Sequence, residues 1–180
     1  MFTFTDALVI AAEAHRGVKD EGGVDYIKHP LHLANKLKQK GHSNEVQMTA
    51  LLHDVVEDSE MTIKDLEDKG CPESVLEALE LLTHVKDAEF IENHKKYYME
   101  HEKLTEKIAN RKAKDNEYFA YVRKLSRNDI ARTVKKEDLR HNGDIRRAPD
   151  DVYEDHYTWN RWAKYANALK ILSGGTVGYC

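Results

Sequence analysis

Apolar side chains recur every three or four residues through most of the chain, which is the spacing of helices that bury one face. Strand-like alternation is weak throughout. Pro30 and Pro72 each fit the start of a helix, where proline is favoured. The pattern predicts an all-α, single-domain helical bundle. Its predicted helices lie at 5–16, 30–40, 44–58, 62–70, 72–84, 116–125 and 130–141, with a last helix around 159–172.

Several segments interrupt this helical pattern. Residues 17–26 are glycine-rich and polar, so we expect a loop there. Residues 87–116 are dense in Lys, Glu and His and poor in large aliphatic side chains, which predicts either an exposed helical hairpin or one long solvated helix that adds little to the core. Residues 142–152 look irregular, and the tail 173–180 is expected to fray.

Composition narrows the classes of partner. The formal net charge is -4 with both signs mixed along the chain, so no general attraction to nucleic acid or to anionic lipid is expected. No apolar run approaches the roughly 20 residues of a membrane span. The two cysteines, Cys71 and Cys180, lack the spacing of a metal site or a disulfide framework, which favours a reducing compartment and a cytoplasmic protein.

The strongest chemical signal is the segment 50–58, Ala-Leu-Leu-His-Asp-Val-Val-Glu-Asp. On a helix at about 100° per residue, His53, Asp54, Glu57 and Asp58 share one face, and the opposite face is wholly aliphatic. Burying several carboxylates together is costly unless a cation or hydrogen bonds compensate. His plus Asp suits Mn, Fe or Zn, so we predict a metal site. The alternative is an amphipathic helix with a solvent-exposed acidic edge.

Two weaker candidates lie far from this segment. His29 stands immediately before Pro30 at a predicted helix start, where a side chain can point into a cleft. Asp138 and Asn142 are four residues apart and share a helix face. Taken alone, all three are read as surface or capping residues.

Together these segments resemble the HD phosphohydrolase superfamily. The chain is most similar to the hydrolase domain of the RelA/SpoT enzymes and to small single-domain alarmone hydrolases. The order His, then His-Asp, then Asp matches, and the stretch from His53 through the following Thr62 is the most specific part of the likeness. The resembling blocks are 14–17, 26–31, 50–62, 82–83 and 134–142.

The resemblance implies an all-α bundle with one Mn²⁺ ion that removes pyrophosphate from the ribose 3′ position of a guanosine alarmone. The metal ligands that it implies are His29, His53, Asp54 and Asp138. The catalytic carboxylates that it implies are Glu57 and Asp58. The nucleotide contacts that it implies are Tyr26, Asn142 and, through a one-residue shift of the loop, Lys19.

The chain departs from the family pattern in two places. Asp20 and Glu21 stand where relatives carry a basic pair, and two acids facing a polyphosphate would repel it. The substrate therefore stays open between an alarmone and another phosphorylated nucleotide or dinucleotide, and a catalytically silent nucleotide-binding module is the alternative of another class. The interval from Asp54 to Asp138 is also longer than usual. The extra residues, 87–116, would cover the cleft, form a surface of a homo-oligomer, or do neither.

Overall fold

A computed structural model describes residues 1–144, 146 and 156–177, with the side chains of 156–158 excepted. The described residues are all-α, as predicted, and contain ten helices and a lone antiparallel bridge between Lys19 and Asp25. The helices are α1 (Phe4–Ala14), α2 (Lys28–Gln39), α3 (Asn44–Leu52), α4 (Val55–Asp58), α5 (Ile63–Asp68), α6 (Glu73–Leu82), α7 (Ala88–His101), α8 (Glu106–Leu125), α9 (Asp129–Asn142) and α10 (His156–Leu172).

Side-chain caps set where several helices begin. Thr62 accepts from the amide of Asp65 while the Asp65 carboxylate accepts from the amide of Thr62, which forms a capping box at the start of α5. Asn128 caps α9 in the same sense by accepting from the amide of Ala131 at 2.9 Å. Pro72 is the residue before α6, as its position in the sequence predicted.

Helix α3 lies in the centre of the core, since all its residues from Val46 to Leu52 are buried. It packs against α1, α2, α6 and α9. The core has one continuous cluster of aliphatic side chains, to which α3 contributes Leu51 and Leu52 and its neighbours contribute Leu33 and Leu79. A central buried helix can carry polar groups only where they find partners, so its carboxyl end is a constrained place for chemistry.

The prediction of one continuous helix over 44–58 is wrong. Helix α3 ends at Leu52, and α4 begins again at Val55. At the break, the imidazole Nδ1 of His53 binds the carbonyl oxygen of Ala50 at 3.0 Å. In an unbroken helix that carbonyl would accept from the amide of Asp54, so a side chain competes with the backbone there. The break gives His53 and Asp54 directions that a continuous helix would not.

The charged segment 87–116 takes the first of its two predicted forms, a helical hairpin. Helices α7 and α8 pack against each other around a small cluster of their own, with Tyr98, Ala109 and Ala113 buried in it. Beyond this cluster α8 continues into the main core, where Val122 and Leu125 are fully buried. The hairpin is therefore tied to the rest of the molecule through α8.

The expected irregular segment 142–152 falls largely outside the described residues, as do Cys180 and the end of the expected frayed tail. Within the described part of the chain, no helix combines the length and the apolar character that a membrane crossing requires.

Candidate metal centre

Three side chains from three helices meet at one buried point. His29 lies in the first turn of α2, His53 follows the last residue of α3, and Asp138 lies in α9. The Nε2 atoms of the two histidines are 3.3 Å apart, and Asp138 Oδ1 is 3.3 Å from His29 Nε2 and 3.8 Å from His53 Nε2. All three residues are buried. Two ring nitrogens and a carboxylate oxygen this close can share one cation.

Asp54 adds a second carboxylate to this point. Its Oδ2 lies 2.8 Å from His53 Nε2 and 3.8 Å from His29 Nε2. The break between α3 and α4 makes this possible, because Asp54 turns towards the same centre as its neighbour His53. The structure thus brings together all four side chains that the resemblance implied as ligands, and two nitrogens with two carboxylates suit a borderline divalent ion. The donor set fits the implied metal.

A second layer of contacts orients each of these four groups. The His53 Nδ1 bond to Ala50 leaves Nε2 facing the centre, and His29 Nδ1 lies 2.7 Å from His141 Nδ1, which again turns Nε2 inward. Outer partners of this kind fix the ring direction of ligating histidines.

The carboxylates have outer partners too. The hydroxyl of Tyr26 donates to Asp54 Oδ2 at 2.5 Å. Asn142 donates to Asp138 Oδ1 at 2.6 Å, and the ammonium of Lys135 lies 2.9 Å from Asp138 Oδ2. The predicted nucleotide contacts Tyr26 and Asn142 therefore both lie against implied metal ligands.

Opposite charges dominate the electrostatics of the centre. Burial lowers the pKa of His53, but the neighbouring Asp54 and Asp138 raise it more, to about 9. Burial raises the pKa of Asp54, but His53 lowers it more, to about 2. The same holds for Asp138. Burial raises its pKa, but Lys135 and the two histidines lower it more, so that the pKa lies well below its usual range. All three groups keep their charge in this largely buried site, and the two carboxylates are thereby available to a cation.

Glu57 and Asp58 lie one turn beyond the centre in α4, and both side chains reach solvent. The three acids of the motif are therefore not buried together, in contrast to the arrangement that the sequence suggested. Partial burial raises the pKa of both carboxyl groups, and for Glu57 a hydrogen bond from the backbone amide of His84 at 2.5 Å partly offsets the increase. Carboxylates with raised pKa beside a metal centre are suited to accept a proton.

A cavity of about 680 Å³ opens from this centre. Asp54, Glu57 and Asp138 line one side, and the facing side is formed by α8, α10 and the segment after α6. Cationic side chains predominate among its charged lining residues. They are Lys86, Lys107, Arg111, Lys114, Lys135, Arg161 and Lys164. Such a lining favours an anionic ligand with several charges.

A second cavity of about 530 Å³ lies along the glycine-rich loop. The Asp20 carboxylate accepts from the amides of Gly22 at 3.0 Å and Val24 at 2.9 Å, so it closes the loop on itself. Glu21 pairs with Arg161 of α10 at 2.7 Å. Lys19, which the sequence placed on the nucleotide, is paired with Asp25 across the neck of the loop.

Sequence reasoning missed Lys135, His141 and the pair His84 and Glu117. Lys135 had a usable signal, because it stands one helical turn before Asp138. His141 precedes Asn142 within a block that the resemblance covered, yet its contact to His29 joins residues 112 positions apart. Glu117 comes directly after the charged stretch 87–116, at the start of the predicted helix 116–125, and its burial has no local sequence signal.

An all-α fold with two imidazoles and two carboxylates converging beside an open cavity defines a helical metal-binding protein. A family model described as "HD domain" matches residues 7–155, and the chain belongs to that family.

Similar proteins are alarmone enzymes. The chain is 41% identical over 61 residues to the bifunctional (p)ppGpp synthase/hydrolase SpoT of Escherichia coli, which is 34% of this chain and 9% of that protein. It is 44% identical over 61 residues to guanosine-3′,5′-bis(diphosphate) 3′-pyrophosphohydrolase MESH1 of Danio rerio, covering 32% of this chain and 34% of that one. The match thus spans well under two thirds of either relative.

A solved structure of a metazoan orthologue of SpoT, described as hydrolysing ppGpp, has the same fold. The TM-score is 0.64 at 21% identity, over 98% of this chain and 88% of that one. The likeness in fold extends through most of both chains, which identity over 61 residues alone would not show.

Proposed function

We propose that the protein is a metal-dependent phosphohydrolase that removes pyrophosphate from the 3′ position of guanosine 3′,5′-bis(diphosphate). One observation carries the proposal: the His29, His53, Asp54 and Asp138 cluster opens directly into a cavity rich in cationic side chains. The substrate is suggested by the relatives, which include a guanosine-3′,5′-bis(diphosphate) 3′-pyrophosphohydrolase. Membership of the HD domain family supplies the reaction class.

In this proposal the four residues hold one divalent cation, with Mn²⁺ the first choice because the family resemblance implies it; the same imidazole and carboxylate donors also suit Fe or Zn. A bound cation of this kind supplies a Lewis acid that polarises a phosphoryl oxygen and lowers the pKa of water. Tyr26 and Asn142 keep Asp54 and Asp138 aimed at the centre. His141 does the same for His29.

Glu57 and Asp58 provide the proton chemistry. A water oxygen attacks the phosphorus that is bonded to the ribose 3′ oxygen, and a carboxylate takes the proton of that water. The bond from phosphorus to the 3′ oxygen breaks, and the carboxyl pair returns a proton to that oxygen, so that the products are pyrophosphate and a 3′-hydroxyl. Glu57 is the better placed, since the amide of His84 holds one of its oxygens and leaves the other for water. The variants Glu57→Gln and Asp58→Asn show which carboxylate is the general base. The variant that lacks the general base should have a lower kcat while it still binds a full equivalent of metal.

The cationic side of the cavity receives the phosphates that are not at the metal. The substrate carries diphosphates at both 3′ and 5′ positions, so one faces the metal centre and the other faces Lys107, Arg111 and Lys114. The acids of the glycine-rich loop are already engaged, Asp20 with loop amides and Glu21 with Arg161, which lessens their repulsion of a phosphate.

A second candidate keeps the mechanism and changes the nucleotide. It is favoured by the loop, where Glu21 takes the place of a basic residue and already occupies Arg161. A silent nucleotide-binding module accounts less well for the chain, because such a module has no need of Glu57 and Asp58 beside the centre.

The decisive experiment incubates purified protein and Mn²⁺ with a panel of nucleotides and follows pyrophosphate and phosphate release. Guanosine 3′,5′-bis(diphosphate) should be cleaved at its 3′ position, and Asp54→Ala should abolish turnover. Turnover of a different nucleotide alone would select the second candidate. If no nucleotide is hydrolysed and elemental analysis finds no Mn, Fe, Zn or Ni, the enzyme proposal is refuted.

A further inference from the structure

The backbone amide that holds Glu57 belongs to a loop rather than to a helix. His84 lies between the end of α6 at Leu82 and the start of α7 at Ala88, and its N–H donates to Glu57 Oε1. An amide inside a helix has its direction fixed by the helix. In a loop the direction depends on whatever holds the loop, so the aim of the Glu57 carboxylate depends on contacts made by residues 83–87.

One buried carboxylate on α8 holds both halves of this loop. Glu117 Oε1 lies 2.9 Å from His84 Nε2 and also accepts from the amide of Asp87 at 3.3 Å. Glu117 is only 6% exposed. On its other side the His84 ring stacks on Tyr121, also from α8, with ring centroids 4.2 Å apart.

The energetics favour a stiff arrangement. A buried carboxylate that loses its partners is left with an uncompensated cost of desolvation, so Glu117 holds His84 and Asp87 firmly. Because a single oxygen serves both donors, the distance between the two ends of the loop is fixed as well. The contacts therefore link α8 to Glu57: Glu117 binds the His84 ring, and the His84 backbone amide binds Glu57.

We propose that Glu117, acting through His84, is a positioning residue that sets the direction of the Glu57 carboxylate. Glu117 also lines the cavity, but in this role it acts through His84 and not directly on metal or substrate. The proposal rests on the function proposed above, and it gives the charged hairpin a role in catalysis, because its second helix, α8, carries the group that aims a catalytic carboxylate. That role differs from covering the cleft or forming a surface between copies.

A double-mutant cycle with Glu57 tests the proposal. Glu117→Ala should lower kcat roughly 10- to 100-fold with KM nearly unchanged, since small misplacements of a catalytic group have effects of that size. Glu117→Gln keeps an acceptor oxygen for the Asp87 amide and the His84 ring, and should recover most of the rate. In a Glu57→Gln background, Glu117→Ala should cost nothing further, because coupled residues are not additive.

The matched control is Tyr98→Phe. It removes the hydroxyl that accepts from Asn116, the residue beside Glu117, within the same pair of helices. It therefore loosens α7 on α8 without touching the loop, and should leave kcat unchanged. His84→Ala is the second test variant, which keeps the backbone amide and loses the ring. It should reproduce the loss of kcat seen with Glu117→Ala. If one of the two variants does not fold, the other still tests the proposal.

An amide chemical shift provides a readout without activity. The His84 amide proton is hydrogen-bonded to the Glu57 carboxylate, so its resonance should lie downfield and should move upfield in Glu57→Gln. Glu117→Ala should move it in the same direction, and Tyr98→Phe should not. An unmoved His84 amide in Glu117→Ala, or additive rate losses in the double mutant, overturns the proposal. If no nucleotide is turned over at all, the function fails while the amide shift still decides the positioning role.

Discussion

Binding of a divalent cation should release about one proton near neutral pH. Both nitrogens of His53 have acceptors within hydrogen-bond distance, the Ala50 carbonyl at 3.0 Å and Asp54 Oδ2 at 2.8 Å, which is the arrangement of an imidazolium. Its pKa is raised from 6.5 to about 9. A cation needs the lone pair on Nε2, so it must displace that proton.

The size of the effect follows from the pKa. At pH 7 the ring lies about two pH units below its pKa, and each unit corresponds to about 1.4 kcal/mol, so deprotonation costs the bound state about 3 kcal/mol. The dissociation constant for Mn²⁺ should therefore fall about tenfold between pH 7 and pH 8. Because the pKa of His53 is higher in the folded state, its charge stabilises the fold of the metal-free protein. This stabilisation is fully present below about pH 6.5 and is lost as the pH rises through about 9.

Titration calorimetry measures this directly. Mn²⁺ is titrated into chelator-treated protein in two buffers of different ionisation enthalpy, and the difference gives the number of protons released. His53→Gln is the control, which should bind more weakly and release no proton from this position. Affinity that stays constant from pH 6.5 to 8 with no proton released would refute the reasoning, because it would mean that the ring is already neutral.

Three further outcomes are expected. Thr62→Ala should lower the free energy of unfolding by about 1 kcal/mol in urea titrations, because it removes the capping box with Asp65, and no loss would show that the cap is dispensable. Lys135→Met should lower the free energy of unfolding by about 3–5 kcal/mol in chelator, since it removes the ammonium group that pairs with the buried Asp138, and by less in excess Mn²⁺; equal losses in the two conditions would contradict this. Cys71 should resist iodoacetamide in the native protein at pH 8 and react in urea, because it is buried and burial raises its pKa to about 11; rapid native labelling would count against that burial.

The sequence was most informative where chemistry and spacing coincide. Adjacent His53 and Asp54, a His before a Pro, and an Asp one turn from an Asn occur in family order, and the structure places all of them at one centre. The helix limits around the capping box of Thr62 were also readable, because a cap is a local interaction within four residues.

Long-range partners were not readable from sequence. The contact between His29 and His141 and that between His84 and Glu117 join residues that nothing local links. The break between α3 and α4 was not predicted for another reason. Residues 51–56 keep a helical apolar pattern across it, and the pattern does not show that the His53 imidazole competes for the carbonyl of Ala50.

The small buried cluster of Tyr98, Ala109 and Ala113 is separate from the main core, which predicts that α7 opens as a cooperative unit of its own. Its packing is almost entirely against α8, whereas α3 is enclosed by four helices of the main core. Native-state hydrogen exchange should accordingly show α7 amides exchanging through a sub-global opening of low free energy, while α3 amides exchange only on global unfolding. The protein would then spend part of its time with α7 detached and the four residues of the candidate metal centre still in place.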